Sequence, residues 1–133
     1  MSQTKTPVAK VGRVIVPVSD QDRAIDFYVQ NLGFEKIADT PFGNGDRWVE
    51  VSLGEGHTAL ALVPPPPGNP IGVETGIALD VDDVDALHAD LRERGVDVDP
   101  EVMRMGDPVP PMFFFRDQDG NKLLAVQPST SAL

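Results

Sequence analysis

Few residues in this chain can do chemistry. There is no cysteine, which excludes disulfides, thiolate nucleophiles and cysteine metal sites. Histidine occurs only at His57 and His88. His88 falls in a stretch of helical periodicity, where a surface or half-buried role is the simple reading. His57 follows the Gly54-Glu55-Gly56 turn, where a hairpin-end imidazole is usually solvated. Residues 47–53 alternate, with Val49, Val51 and Leu53 on one face and Trp48, Glu50 and Ser52 on the other. Glu50, a carboxylate on the non-apolar face of a strand, is the single candidate for acid–base catalysis. Glu50 with His57 is also the only pair of metal-ligating types to consider, and two ligands make a poor metal site.

The elements that must position these residues come in two similar sets. Residues 11–18 form an apolar, β-branched run that fits a strand. Ser19-Asp20 offers a helix cap, Ala24, Phe27, Tyr28 and Leu32 recur at helical spacing over 21–31, and Gly33 stops the helix. Residues 34–38 read as a second strand, followed by a turn around Pro41, Gly43, Asn44 and Gly45. The strands 47–53 and 58–63 flank the Gly54–Gly56 hairpin turn. Residues 64–70 contain four consecutive prolines and read as a stiff linker.

The pattern then restarts. A strand at 75–81 is followed by the cap Asp82-Asp83, a helix at 84–94 and a stop at Gly95. A strand at 96–102, a Met- and Pro-containing segment at 101–111 and a hairpin of 112–116 with 122–127 complete it, leaving 129–133 as a tail. Asp20 and Asp22 match Asp83 and Asp85, and residues 48–64 match 112–128 without a gap. Such self-similarity is a stronger signal than any single propensity. The expected fold class is α+β: one domain, 1–133, of two tandem βαβββ modules (about 11–63 and 75–128) joined by a Pro-rich linker, 64–74.

At 133 residues, with 41% hydrophobic and 24% charged residues, the chain is of a size and composition to bury a core unaided. The net charge of −10 argues against nucleic acid as a partner. No apolar run approaches a membrane span, and the polar first ten residues lack a signal-peptide core, so the expected location is the cytoplasm.

Three segments carry a family resemblance: Asp-Arg-Ala-Ile-Asp-Phe-Tyr (22–28) with Asn-Leu-Gly-Phe (31–34), Val-Asp-Asp-Val-Asp-Ala (81–86) with Arg-Gly-Val (94–96), and Phe-Arg-Asp-Gln-Asp-Gly-Asn (115–121). Together they resemble the vicinal-oxygen-chelate group of glyoxalase, bleomycin-resistance and extradiol-dioxygenase proteins. The resemblance implies a mixed sheet around a cleft, usually within a homodimer. It also implies a divalent metal held by histidine and carboxylate ligands on the first and last strands of each module. Here those positions fall on Arg13, Gly76, Leu124 and Leu60 (Ala61 if the register slips by one). None of these side chains ligates a metal, so no metal and no cofactor are expected.

With the family's facing, Arg13, Ile15 and Pro17 look into the cleft. Alternation adds Trp48, Glu50 and Ser52, then Met112, Phe114 and Arg116, with Leu60, Leu62, Leu124 and Val126 as its floor. Arg13 is positioned either to bind a ligand group or to pair with Glu50. The resulting apolar, aromatic cleft implies a metal-free binder of a small molecule, an antibiotic or metabolite. Two alternatives stay open: a lyase, isomerase or dioxygenase of the group with an altered site built on Glu50, and a scaffold acting through protein contacts.

Overall fold

The computed structural model describes residues 7–43 and 45–129. The expected turn residue Asn44 and the tail from 130 onward lie outside them. The described chain forms strand β1 (Arg13–Pro17), helix α1 (Gln21–Asp26), and strands β2 (Glu35–Phe42), β3 (Asp46–Ser52) and β4 (Ala59–Val63). After the proline-rich segment follow β5 (Glu74–Asp80), α2 (Val84–Glu93), β6 (Asp97–Val98), β7 (Met112–Arg116) and β8 (Lys122–Val126). The strands make two mixed sheets of four, ordered β1-β4-β3-β2 and β5-β8-β7-β6. In each, the first strand runs parallel to the last and the remaining pairs are antiparallel. Among the described residues no helix is long and apolar enough to cross a membrane.

The helix starts follow from the aspartates read as caps. Asp20 accepts from the Arg23 amide at 3.1 Å and Asp83 from the Ala86 amide at 3.0 Å. The first helix departs from the regular 21–31 expectation. It stays α-helical only to Asp26, then widens into a π-type turn over Phe27–Asn31. That turn sets Tyr28, fully buried, edge-on to both Phe27 and Phe34. The Tyr28 hydroxyl donates to Asp117 Oδ2 at 2.7 Å, and burial, then the Asp117 charge, hold its pKa far above the ordinary phenol value.

Both helices and one face of each sheet share a core. It contains Val16, Val18, Ala24, Tyr28, Val49, Val51, Leu60 and Leu62 from the first half, and Val84, Leu91, Phe113, Phe115, Leu123 and Ala125 from the second. Each sheet thus has a helix face and an open face. Two strand expectations need revision. β2 runs on through Pro41 to Phe42, where it pairs with Asp46. The strand expected at 96–102 shrinks to Asp97–Val98, because Pro100 has no amide to donate; pairing resumes only at the Met103–Met112 bridge.

Candidate functional site

The open face of the first sheet carries the side chains with chemical capacity. Arg13 stands on β1 and Glu50 on β3, with β4 between them. Two inter-strand spacings amount to about 10 Å, which Arg and Glu side chains can span only over small residues. The β4 positions beneath them are Ala59, paired with Arg13, and Ala61, paired with Glu50. Arg13 Nε donates to Glu50 Oε2 at 2.9 Å, and the Trp48 indole donates to the same oxygen at 2.7 Å. Glu50 is 9% exposed, whereas the Arg13 side chain is 54% exposed. The two Nη groups of Arg13 have no protein partner among the described residues. Phe42 meets Trp48 edge-on.

This group borders a cavity of about 480 Å³, whose wall includes Lys10, Arg13, Glu35, Glu50, Ser52 and His57. His57 and Glu50 therefore share a cavity, but no hydrogen bond joins them. At the other end of β1 lies a cavity of about 410 Å³ that the sequence reading missed. Ile15, Pro17, Val63, Pro64, Pro65 and Val73 line it. In the sequence the proline run carries one signal of such a wall, its lack of polar side chains. A further cavity of about 490 Å³ lies on the helix face of the first sheet beside β5, with Val14, Phe34, Leu60, Ile77 and Leu79 in its wall. Apart from His57 and Asp80 it offers no acid or base.

The second sheet's open face holds Phe114 and Leu124, paired in register, with Met112 paired to Val126 and Arg116 to Lys122. Lys122 Nζ lies 4.2 Å from the Phe114 ring centre, and Phe114, Lys122 and Leu124 border a cavity of about 280 Å³. Arg116 is bound by the carboxylates of Asp97 at 3.1 Å and Asp99 at 2.9 Å, which raise its pKa further. His88 contacts the Asp99 carbonyl at 2.7 Å and packs edge-on against Phe113, a structural place as its helix position suggested.

Of the thirteen residues expected to line a cleft, eleven stand on the two open faces: Arg13, Ile15, Pro17, Trp48, Glu50, Ser52, Met112, Phe114, Arg116, Leu124 and Val126. Leu60 and Leu62 do not. Both are in the core, on the helix face with Val14 and Val16. The connection between β3 and β4 spans 53–58, one residue more than the 117–121 connection between β7 and β8. The gapless match of the halves therefore slips by one in β4, and a one-residue slip exchanges faces. Ala61 takes the open-face position.

The positions that the resemblance assigns to metal ligands are thus Arg13, Ala61, Gly76 and Leu124, and this donor set does not fit a divalent ion. Among the described residues no three His, Asp or Glu side chains are gathered closely enough to hold one.

Residues 10–124 match the sequence profile of the Glyoxalase/Bleomycin resistance protein/Dioxygenase superfamily. The chain is similar to TnmS3, an antibiotic binding protein from Streptomyces sp. CB03234, at 41% identity over 94% of this chain and 100% of that one, with a TM-score of 0.80. It is similar to a member of the same superfamily from Sphaerobacter thermophilus at 35% identity, 90% and 98% coverage and a TM-score of 0.81. Among sequences, the uncharacterized protein YetH of Bacillus subtilis is 29% identical, covering 88% of this chain and 97% of its own.

Proposed function

The chain belongs to the Glyoxalase/Bleomycin resistance protein/Dioxygenase superfamily, and from that premise we propose that it is a metal-free small-molecule binding protein holding an antibiotic or metabolite on its open sheet face. The observation that carries this reading is the engagement of Glu50. Its Oε2 receives both Arg13 and Trp48, so the one candidate base is built into a binding surface. Sequestration needs affinity and no nucleophile. The likeness to an antibiotic binding protein at 41% identity supports the same reading.

A thermal-shift screen of antibiotics and metabolites tests it. A ligand at a hundredfold excess over its Kd stabilises the native state by about 2.7 kcal/mol, a rise of several degrees in Tm. Tightly bound, stoichiometric Zn²⁺, Ni²⁺, Mn²⁺ or Fe²⁺ in the purified protein sinks the metal-free part of the reading. The shared cavity of Glu50 and His57 keeps one enzymatic alternative in view. It requires that Glu50→Gln abolish a turnover that the intact fold otherwise supports.

We also propose a homodimer. The cavities on the two open faces are lined by separate residue sets within one chain, and among the described residues β1 and β5 each end their sheet with an unpaired edge. Sedimentation equilibrium is expected to return twice the chain mass; a monomer at tens of micromolar overturns this assembly.

A further inference from the structure

The two open-face cavities of the first sheet lie along one strand pair. Arg13 and Ala59 mark one end, Pro17 and Val63 the other, and Ile15, 60% exposed, stands between them. Four residues of strand separate the ends by about 13 Å. Their chemistry differs sharply. At the first end the Nη groups of Arg13 are donors without an acceptor among the described residues. At the second end the cavity is walled by proline and aliphatic side chains, with Asn69 its only polar one among the described residues.

Charge narrows the ligand further. Arg13 is already neutralised by Glu50, and Glu35 and Glu55 line the same cavity against Lys10, the one further Lys or Arg there among the described residues. A ligand carboxylate would meet a surplus of negative charge there, whereas a neutral carbonyl or phenolic oxygen can accept from Arg13 without that repulsion.

We propose that the ligand is an elongated, uncharged molecule with an oxygen acceptor at one end. The oxygen sits on the Nη groups of Arg13, and an apolar or aromatic body crosses Ile15 to end against the proline wall. The proline-rich segment is then a selectivity element as well as a linker. This deepens the small-molecule reading and rests on it.

The test uses 6-propionyl-2-(dimethylamino)naphthalene, a neutral aromatic ketone of suitable length, whose emission reports polarity. Trp48, the only tryptophan, is a nearby energy donor. Two comparison probes are 2-(dimethylamino)naphthalene, which lacks the ketone, and 6-(dimethylamino)-2-naphthoate, which carries a charge. The ketone is expected to quench Trp48 and to bind roughly tenfold tighter than either, the size of one well-made hydrogen bond. Arg13→Gln should abolish its advantage over the ring lacking the ketone. Arg13→Lys, which keeps the partner of Glu50 but loses the paired donors, should do the same and guards against a folding artefact. Ile15→Asp, at an exposed position, should weaken all three probes about tenfold.

Equal affinities for the three probes, tighter binding of the naphthoate, or a ketone preference that survives both Arg13 variants each overturn the proposal. So does failure of the ketone to bind. It is also overturned if Ile15→Asp turns a dimer into a monomer with probe binding unchanged, because that face is then covered by a second copy. If the antibiotic screen finds ligands while these probes fail, only this inference falls and the binding function stands.

Discussion

Asn121→Ala is expected to destabilise the protein by about 3–5 kcal/mol, far more than a turn residue normally contributes. Asn121 is fully buried and ties three segments together. Its Oδ1 accepts from the amides of Gly72 and Val73, both at 3.0 Å, in the segment leading into β5. Its Nδ2 donates to the Pro17 carbonyl at 2.8 Å, at the end of β1, and to Asp117 Oδ2 at 3.0 Å. Asp117 in turn receives the Tyr28 hydroxyl from the first half of the chain. Alanine leaves two amides and a carbonyl without their partner and removes a donor from a buried carboxylate. Each such loss costs about 1–3 kcal/mol before relaxation.

Water can recover only part of this, because the chain passes too closely. A Cβ added at Gly72, whose φ is +77°, would lie 3.1 Å from the Asp119 carbonyl. Urea unfolding of wild type and variant with equal m-values measures the difference. A loss below about 1 kcal/mol would show that the turn's backbone alone holds the halves together.

The 115–121 motif was legible as a turn, yet its tie to Pro17 and to residues 72–73 was not, since those partners lie about 50 and 100 positions away. What could be read were local and periodic features. Asp20 and Asp83 cap their helices as expected, and the alternation of Met112-Phe113-Phe114-Phe115-Arg116 assigns each face correctly. In β4 that signal is absent. Ala-Leu-Ala-Leu-Val is apolar at every position, and every residue is buried. One side packs the core; the other lies beneath the Arg13–Glu50 pair. A strand buried on both faces carries no alternation, so only register can tell its sides apart, and register depends on the length of the preceding turn. The Arg13–Glu50 pair was legible as one of two roles for Arg13. The donors it leaves unpaired, and the proline wall, depend on tertiary placement that no local pattern encodes.

Leu62→Ala tests the face assignment directly and is expected to cost about 2–5 kcal/mol, lowering Tm by roughly 10 °C or more. Leu62 is fully buried and belongs to the cluster that includes Val16, Val49 and Tyr28. Its carbonyl accepts the Gln21 side-chain amide at 2.9 Å, so β4 is held under the first helix at this residue. Removing the isobutyl group leaves a cavity in a core that cannot close fully, because α1 is anchored through Gln21 and the π-type turn after it through Tyr28. Were Leu62 instead part of a cleft floor, alanine would leave stability within about 0.5 kcal/mol and change ligand affinity alone. Thermal unfolding separates the two outcomes before any ligand is known. A small change in Tm would return Leu62 to the open face and with it the gapless match of the two halves. A large one fixes Ala61 beneath the ion pair, where a larger side chain would push Arg13 and Glu50 apart.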